Sequence, residues 1–335
     1  MSTDSGLLTT IAGRMSRRVT IVMYHFVRNA RHGRYPRIAA LDTAAFIEQL
    51  AYIRHHYQII RMEDVLDALR DPERVLPPRA LLLTFDDGYI DHFTTVFPLL
   101  DRLGVQASFF LPARAVLERR LLDVNKIHFV LAAGELTRTV AAMEAHVTAL
   151  RTEHALDTTA AYRATFMQAN RWDPPEVNYV KRVLQKGLPA AARAIIVDAL
   201  FAEVVAVEET AFAEELYVSV EQVRCMRRAG MHIGGHGYGH AWLGTLGRQD
   251  QELEVARTMA LLAEVGCDTG EWTMAYPYGS SDDSLESILT GHGCVIGLTT
   301  HVAVADLDRH RALALPRIDT NDLPTSADAT AIDSP

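Results

Sequence analysis

The sequence lacks the features that mark several classes of protein. No block of basic residues interrupts its 335 residues, and the net charge is −9 at pH 7. Nucleic acids and anionic membrane surfaces are therefore poor candidates as partners. No run of 18 apolar residues occurs, so we expect no membrane-spanning segment. Residues 1–18 contain no continuous apolar stretch of the kind found in signal peptides, from which we expect a cytoplasmic protein.

Cysteine is also scarce. The chain has three, Cys225, Cys267 and Cys294, whose odd number and spacing fit neither a disulfide framework nor a metal site. We interpret them as reduced, mostly buried thiols. Apolar residues at 49% and charged residues at 22% are typical of a globular protein with an ample core. The length is compatible with two domains or with a single α/β barrel.

Apolar strands alternate with helical segments in the first third of the chain. Strand patterns cover residues 18–25, 57–60, 81–87 and 106–111, and helical patterns cover residues 42–55, 62–69 and 96–103. This alternation predicts a parallel sheet or barrel. Residues 124–216 are Ala-rich, with helix starts and little β-branched alternation, which predicts a helical insertion. The first pattern resumes near residue 220.

Two adjacent carboxylates, Asp86 and Asp87, end one of these apolar stretches just before Gly88. In α/β folds, functional side chains lie beyond the C-terminal ends of the strands. Adjacent carboxylates repel each other strongly unless a cation or a proton intervenes. The pair is therefore either a solvated turn or part of a cation site.

Several histidines are candidates for the same rim. His236 and His240 lie four residues apart in a glycine-rich segment (HIGGHGYGH, 232–240), so one helical turn would place both imidazoles on the same side. That spacing is common in zinc sites, although it also arises by chance. His25 ends the first strand, either as a site residue or as a half-exposed cap. The remaining candidates have no ligand spacing, and we interpret them as surface or packing residues: His128, His146 and His154.

Three motifs occur in the order found in one enzyme family. TFDDG (84–88), GHGYGH (235–240) followed by Leu243, and YPYG (276–279) resemble the motifs of the polysaccharide deacetylases, the NodB-homology enzymes of carbohydrate esterase family four. The opening MYH (23–25) looks like the branch that deacetylates poly-N-acetylglucosamine. The resemblance covers about residues 18–112 and 218–320 and leaves the helical insertion outside it.

The resemblance implies an α/β fold, a distorted (β/α) barrel. We divide the chain into a discontinuous barrel (18–123 and 217–322), the helical insertion (124–216) and a mobile tail (323–335). The family relationship further implies one divalent metal, usually zinc, held by Asp87, His236 and His240. Asp86 would be the general base, and the backbone N–H of Tyr278 would form part of the oxyanion site.

Two positions depart from the family pattern. Ala275 stands where an arginine usually orients the base, and Arg317 stands where a histidine usually protonates the leaving amine. Arginine cannot give up a proton at working pH, so the proton donor is open between His25, His301 and a water relay.

We hypothesise that Arg317 replaces the missing arginine by pairing with Asp86. The alternative is a weak surface pair with Asp319.

The implied activity is hydrolysis of the N-acetyl group of an N-acetylated carbohydrate. Two other functions remain open: hydrolysis of another C–N bond, in a formamide or a cyclic amide, and sugar binding by a pseudoenzyme. The complete set of carboxylates and histidines argues against the pseudoenzyme, since a binding protein needs no base. The insertion could serve as a lid or as an interface for a homo-oligomer.

Overall fold

The structure, a computed structural model, describes residues 16–330. Nine strands within this range form one sheet. They are β1 (Arg18–Tyr24), β2 (Gln58–Ile59), β3 (Ala80–Asp86), β4 (Ser108–Leu111), β5 (His232–Gly235), β6 (Trp272–Ala275), β7 (Cys294–Leu298), β8 (Ala305–Asp306) and β9 (Ile318–Asp319).

The sheet curls into a distorted barrel, as predicted. Its strand order is β7-β6-β5-β4-β3-β1-β8, with β2 beside β3 and β9 beside β1. All pairs are parallel except β1 with β8. Leu315 pairs with Leu298 of β7, and β9 follows it along β1. The short segment 315–319, which we call the closing segment, thus links β7 at one edge of the sheet to β1 near the other.

Helices of the barrel flank these strands, largely where the sequence predicts them. They are α1 (Thr43–His56), α2 (Met62–Arg70), α3 (Phe97–Leu103), α4 (Ala113–Leu117), and, after the insertion, α11 (Val220–Arg228), α12 (Arg248–Glu264) and α13 (Asp283–Gly291), numbered in chain order. Local sequence signals explain where two of these helices begin or end. The Asp42 side chain caps α1 by accepting from the N–H of Ala44. Gly104 ends α3 in the left-handed region, at φ 64°.

Alternation along β3 separates two environments. Leu81, Leu83 and Phe85 belong to the core between the sheet and its helices. Leu82 belongs to a second core with Ile21 of β1 and with residues of β6, β7 and the closing segment. Because successive side chains of a strand point to opposite faces, Thr84 and Asp86 lie on the same face as Leu82. Along this face of β3, the side chains therefore change from apolar at Leu82 to polar at Thr84 and Asp86, toward the C-terminal end of the strand.

All regular secondary structure between Asp123 and Leu216 is helical. These helices are α5 (Asp123–Ala133), α6 (Leu136–Leu150), α7 (Thr159–Phe166), α8 (Pro175–Arg182), α9 (Ala190–Val204) and α10 (Glu209–Leu216). Buried Lys126 of α5 ties them together by pairing with Asp198 and Glu209. Their apolar cluster continues into the barrel through Phe26 and Tyr89. The division of the chain into barrel and insertion stays a prediction.

The chain after β9 lies against α1. Leu323 is buried, and the carbonyl of Ala329 lies 3.0 Å from Nε2 of His56. Residues 331–335, the end of the predicted mobile tail, lie outside the described range. Among residues 16–330, no helix has both the length and the apolar character required to cross a membrane. The three cysteines are free thiols, with Cys294 buried and the other two partly exposed.

Candidate active site

The predicted site residues converge at the C-terminal rim of the parallel strands. Asp86 is the last residue of β3 and Asp87 follows it. His236 follows β5, and His25 follows β1. The YPYG motif follows β6 and forms a short 3₁₀ turn, Pro277–Gly279. Residues distant in the sequence therefore meet because neighbouring parallel strands end at one edge.

Asp87, His236 and His240 form a compact group. One potential ligand atom from each lies within 4.8 Å of the others, and all three side chains are buried. Oδ1 of Asp87 is 3.3 Å from Nε2 of His236 and 3.2 Å from Nε2 of His240. Among the described residues, this is the group of histidines, cysteines and carboxylates whose geometry could hold a metal ion.

A hydrogen bond at the far side of His236 and an oxygen of Asp87 without a hydrogen bond favour a cation between these side chains. Nδ1 of His236 lies 2.7 Å from the carbonyl oxygen of Ala275. A carbonyl only accepts, so Nδ1 carries the proton and Nε2 presents a lone pair. Oδ1 of Asp87 is buried and accepts no hydrogen bond from any described residue. One carboxylate oxygen and two imidazole nitrogens fit a divalent metal such as zinc and leave coordination positions open.

The two histidines do not share a helix, and that prediction is wrong. After β5 ends at Gly235, the segment through His240 is a loop. It brings the imidazole centroids to 5.0 Å, and His240 itself has φ 57°. Asp87 (φ 76°) and Tyr278 (φ 58°) also lie in the left-handed backbone region, which residues other than glycine rarely adopt. Such strain is typical of functional sites.

Arg317 pairs with Asp86 through the two terminal nitrogens of its guanidinium. Nη1 donates to Oδ1 at 2.9 Å and Nη2 donates to Oδ2 at 2.7 Å. Nη1 also lies 3.2 Å from the Thr84 hydroxyl, and Nε donates to the Thr299 carbonyl at 2.9 Å. The closing segment 315–319 thus places Arg317 inside the barrel. Asp319 instead accepts from Asn321, so the alternative surface pair is wrong.

The pair keeps Asp86 ionised despite its burial. Burial by itself raises the pKa of Asp86, because an apolar surrounding disfavours the charged form. The charge of Arg317 and its hydrogen bonds outweigh this effect, and the pKa of Asp86 lies below its ordinary value. An ionised carboxylate thus stands directly beside the candidate metal ligands.

Among the histidines considered as proton donors, His25 and His301 differ in position. His25 is partly buried and lines a cavity of about 800 Å³ together with Asp87. His301 is exposed, and its backbone carbonyl accepts from the N–H of Arg317. The geometry therefore favours His25.

The insertion supplies one wall of this cavity, including His128, which sequence reasoning had interpreted as a surface or packing residue. His128, Leu131, Val177 and Lys181 of helices α5 and α8 line it. Burial, with the nearby charge of Lys181, lowers the pKa of His128 to about 3, so its imidazole is neutral at neutral pH. The spacing of His128 gave no signal, because its position depends on how α5 packs against the barrel.

Tyr278 holds the His240 loop from the other side. Its ring stacks on Trp242 with centroids 4.4 Å apart and is nearly perpendicular to the His240 ring, with centroids 4.7 Å apart. These contacts fix the backbone beside the triad of candidate metal ligands, Asp87, His236 and His240. The role of the backbone N–H of Tyr278 in an oxyanion site stays a prediction.

Residues 73–195 and 196–296 match the family described as polysaccharide deacetylase, and the match runs through the helical insertion. A curated relative, the poly-beta-1,6-N-acetyl-D-glucosamine N-deacetylase of Escherichia coli K12, is 40% identical over 65 residues, which are 19% of this chain. The matched residues are only 10% of the length of that relative.

Solved structures share the fold at low identity. A deacetylase of Streptococcus pyogenes, PplD, is 17% identical with a TM-score of 0.54, covering 93% of this chain and 95% of that chain. IcaB of Ammonifex degensii is 19% identical with a TM-score of 0.53, covering 90% and 91% respectively. The deacetylase domain of BpsB from Bordetella bronchiseptica is 16% identical, also with a TM-score of 0.53, covering 91% and 97%. With more than half of its residues matched by the family profile, this chain belongs to the polysaccharide deacetylase family.

Proposed function

We propose that this protein is a metal-dependent N-deacetylase that hydrolyses the N-acetyl group of an N-acetylated sugar in a glycan or glycan precursor. The observation that carries the proposal is the Asp86–Arg317 pair beside the Asp87, His236 and His240 group. The names of its relatives support a substrate containing N-acetylglucosamine. Family membership supports amide hydrolysis in a carbohydrate.

The divided roles of the two aspartates support hydrolysis. A divalent metal held by Asp87, His236 and His240 would acidify a water molecule and polarise the amide carbonyl. Asp86 accepts the proton of the attacking water, because Arg317 keeps it ionised and oriented. The water oxygen bonds to the carbonyl carbon, and the N–H of Tyr278 donates to the oxygen that gains negative charge.

Release of the amine requires a proton at its nitrogen. We assign this donation to His25, which shares the cavity with Asp87. The C–N bond then breaks, giving acetate and a free amino sugar. The neutral His128 of the opposite wall can hydrogen-bond to substrate but is a poor acid at neutral pH. Zinc as the metal, the cytoplasmic location and oligomerisation through the insertion stay predictions.

Product analysis tests the proposal. Zinc-loaded protein is incubated with N-acetylglucosamine oligomers of β-1,6 linkage, and released acetate and formate are quantified against a chelator-treated sample. We expect acetate from the loaded protein alone, together with one free amine per acetate. No acetate from any oligomer, despite bound zinc, would contradict the proposal and leave the pseudoenzyme. Formate released from an N-formyl analogue, with no acetate, would instead support the alternative C–N hydrolase.

A further inference from the structure

A buried chain of hydrogen bonds runs from the start of the helical insertion to Asp87. The backbone N–H of Leu122 donates to the hydroxyl of Tyr217 at 3.1 Å, and that hydroxyl bonds to Oδ1 of Asn125. Nδ2 of Asn125 donates to the hydroxyl of Tyr89 at 2.7 Å. The Tyr89 hydroxyl donates to Oδ2 of Asp87, also at 2.7 Å. The chain thus joins Asn125 of the insertion, and the residues Leu122 and Tyr217 that flank the insertion on either side, to one candidate metal ligand.

The direction of every bond in this chain follows from its end at Asp87. An ionised carboxylate only accepts, so the hydroxyl of Tyr89 donates its one proton to Asp87. The oxygen of Tyr89 therefore accepts from the NH₂ group of Asn125, which turns the amide oxygen of Asn125 toward Tyr217. That amide oxygen only accepts, so Tyr217 donates to it and itself accepts from the backbone N–H of Leu122.

Packing holds this chain in one conformation. Tyr89, Asn125 and Tyr217 have at most 1% of their surface exposed. The ring of Tyr89 stacks on Phe26 with centroids 3.6 Å apart and lies parallel to Tyr217 at 6.3 Å. Backbone pairing between Tyr89 and Tyr217 adds a further tie.

Core stability alone does not require such a chain, because apolar groups of the same shape can replace a buried hydrogen-bonded pair at little cost. Its end point suggests another purpose. The bond from Tyr89 occupies Oδ2 of Asp87, while Oδ1 faces His236 and His240 and accepts no hydrogen bond in the described part of the chain. The carboxylate is therefore held with one oxygen presented to the group.

We propose that Tyr89, Asn125 and Tyr217 are positioning residues for Asp87, through which the helical insertion sets the affinity of the site for its divalent metal. This inference rests on the proposed metal site and not on the proposed reaction. It makes the insertion a structural part of the metal site in addition to a wall of the cavity.

Zinc affinity of the apoprotein, measured by competition with a chromogenic chelator, tests the proposal. Tyr89→Phe removes the hydrogen bond to Asp87 and keeps the stacked ring. We expect zinc binding to weaken about 10–100-fold, the usual effect of losing a partner that orients a metal ligand. Cobalt-loaded protein should also show an altered visible spectrum, because the freed carboxylate changes how it binds. Unchanged affinity in a folded Tyr89→Phe protein would overturn the proposal.

A matched control separates positioning from loss of a buried hydroxyl. Tyr179→Phe removes another buried hydroxyl, which bonds to Glu144 within the insertion at 2.8 Å. It should leave zinc affinity and the cobalt spectrum unchanged, and an equal loss in this variant would overturn the proposal.

The serial arrangement gives a second test that does not depend on one variant. If Asn125 acts through Tyr89, Asn125→Leu should weaken zinc binding, and the variant carrying both changes should bind no more weakly than Tyr89→Phe alone. Fully additive losses would contradict a single path. Tyr217→Phe provides the same comparison if Asn125→Leu does not fold. Wild-type protein that binds zinc but releases no acetate would refute the proposed reaction and leave the positioning test valid.

Discussion

Arg317 and Asp86 form a two-point ion pair inside the barrel although they stand 231 positions apart in the chain. The two side chains are 0% and 2% exposed. The guanidinium comes from the closing segment 315–319, while the carboxylate belongs to the last residue of β3. The pair therefore connects closure of the barrel to the charge of the proposed base.

Removal of Arg317 should shift the acid limb of the pH–rate profile. In Arg317→Ala, burial of Asp86 is no longer offset by the guanidinium, so the pKa of this carboxyl rises. The base is active when deprotonated, and kcat/KM should therefore fall at a higher pH than in the wild type. Arg317→Lys keeps the charge but not the planar fork, and should restore the profile only in part. Wild-type turnover and an unmoved acid limb in both variants would contradict this role.

The same substitution should change how stability depends on pH. In the wild type the pKa of Asp86 is depressed, so the contribution of the pair is present above the ordinary carboxyl pKa and is lost as the pH falls through the folded-state value. Breaking a buried pair by removing one partner costs about 3–5 kcal/mol. Urea unfolding at neutral pH should show this loss in Arg317→Ala. Arg163→Ala, which breaks a more exposed pair with Glu144, should cost far less.

Metal content should depend on the triad and on no distant histidine. We expect about one divalent ion per chain in the wild type and its loss in Asp87→Ala and in His236→Ala, because each removes one of three protein ligands. His146→Ala is the control, since His146 is partly exposed in the insertion and pairs with Glu203. Elemental analysis after dialysis checks the outcome. Full metal content in both triad variants would refute the assignment.

The proton donor can be identified by comparing two histidines at strand ends. His25→Gln should lower turnover by about 10²–10⁴-fold, the range expected for a general acid, and leave metal content unchanged. His301→Gln should keep wild-type turnover, because His301 is exposed and contributes a backbone carbonyl to the Arg317 contact. Acetate release at equal metal loading distinguishes them. The reverse ranking would move the donor to His301.

Gly235 should be intolerant of a side chain because the strand before His236 packs closely. A Cβ at this position would lie 2.3 Å from Cγ2 of Thr258 and 3.0 Å from the ring of Trp272. Gly235→Ala should therefore lower the free energy of unfolding by about 1–3 kcal/mol. Gly291→Ala is the matched control, since nothing lies within 4 Å of its Cβ. Equal unfolding midpoints in urea for the two variants would contradict this account.

Local sequence patterns predict a parallel sheet or barrel, and the resemblance to the deacetylase family adds the distorted barrel and the ligand set Asp87, His236 and His240. Apolar stretches ending in Asp86 or His25 mark buried strands with polar ends, and the parallel arrangement brings these ends together. The Arg317–Asp86 pair could be anticipated because one departure from the family pattern compensated for another. The path of the loop between His236 and His240 could not, because their spacing favours a helical turn and the observed loop depends on left-handed backbone and on tertiary contacts.

The residues through which the insertion contributes to the site were not predictable from the sequence. Asn125 and His128 lie on α5 without any spacing that marks a site, and their roles arise from how this helix packs against Tyr89 and the cavity. Helical periodicity predicts that such a segment is helical. It does not predict which barrel residue the helix will meet.

The most direct test of the central claim is acetate release by Asp86→Asn at a metal content equal to that of the wild type. Asparagine removes the negative charge and the proton-accepting ability, while the ligands Asp87, His236 and His240 remain. We predict unchanged metal content and a turnover about 10²–10⁴-fold lower on N-acetylglucosamine oligomers. Wild-type acetate release by metal-loaded Asp86→Asn would contradict the assignment of the base and, with it, the proposed mechanism.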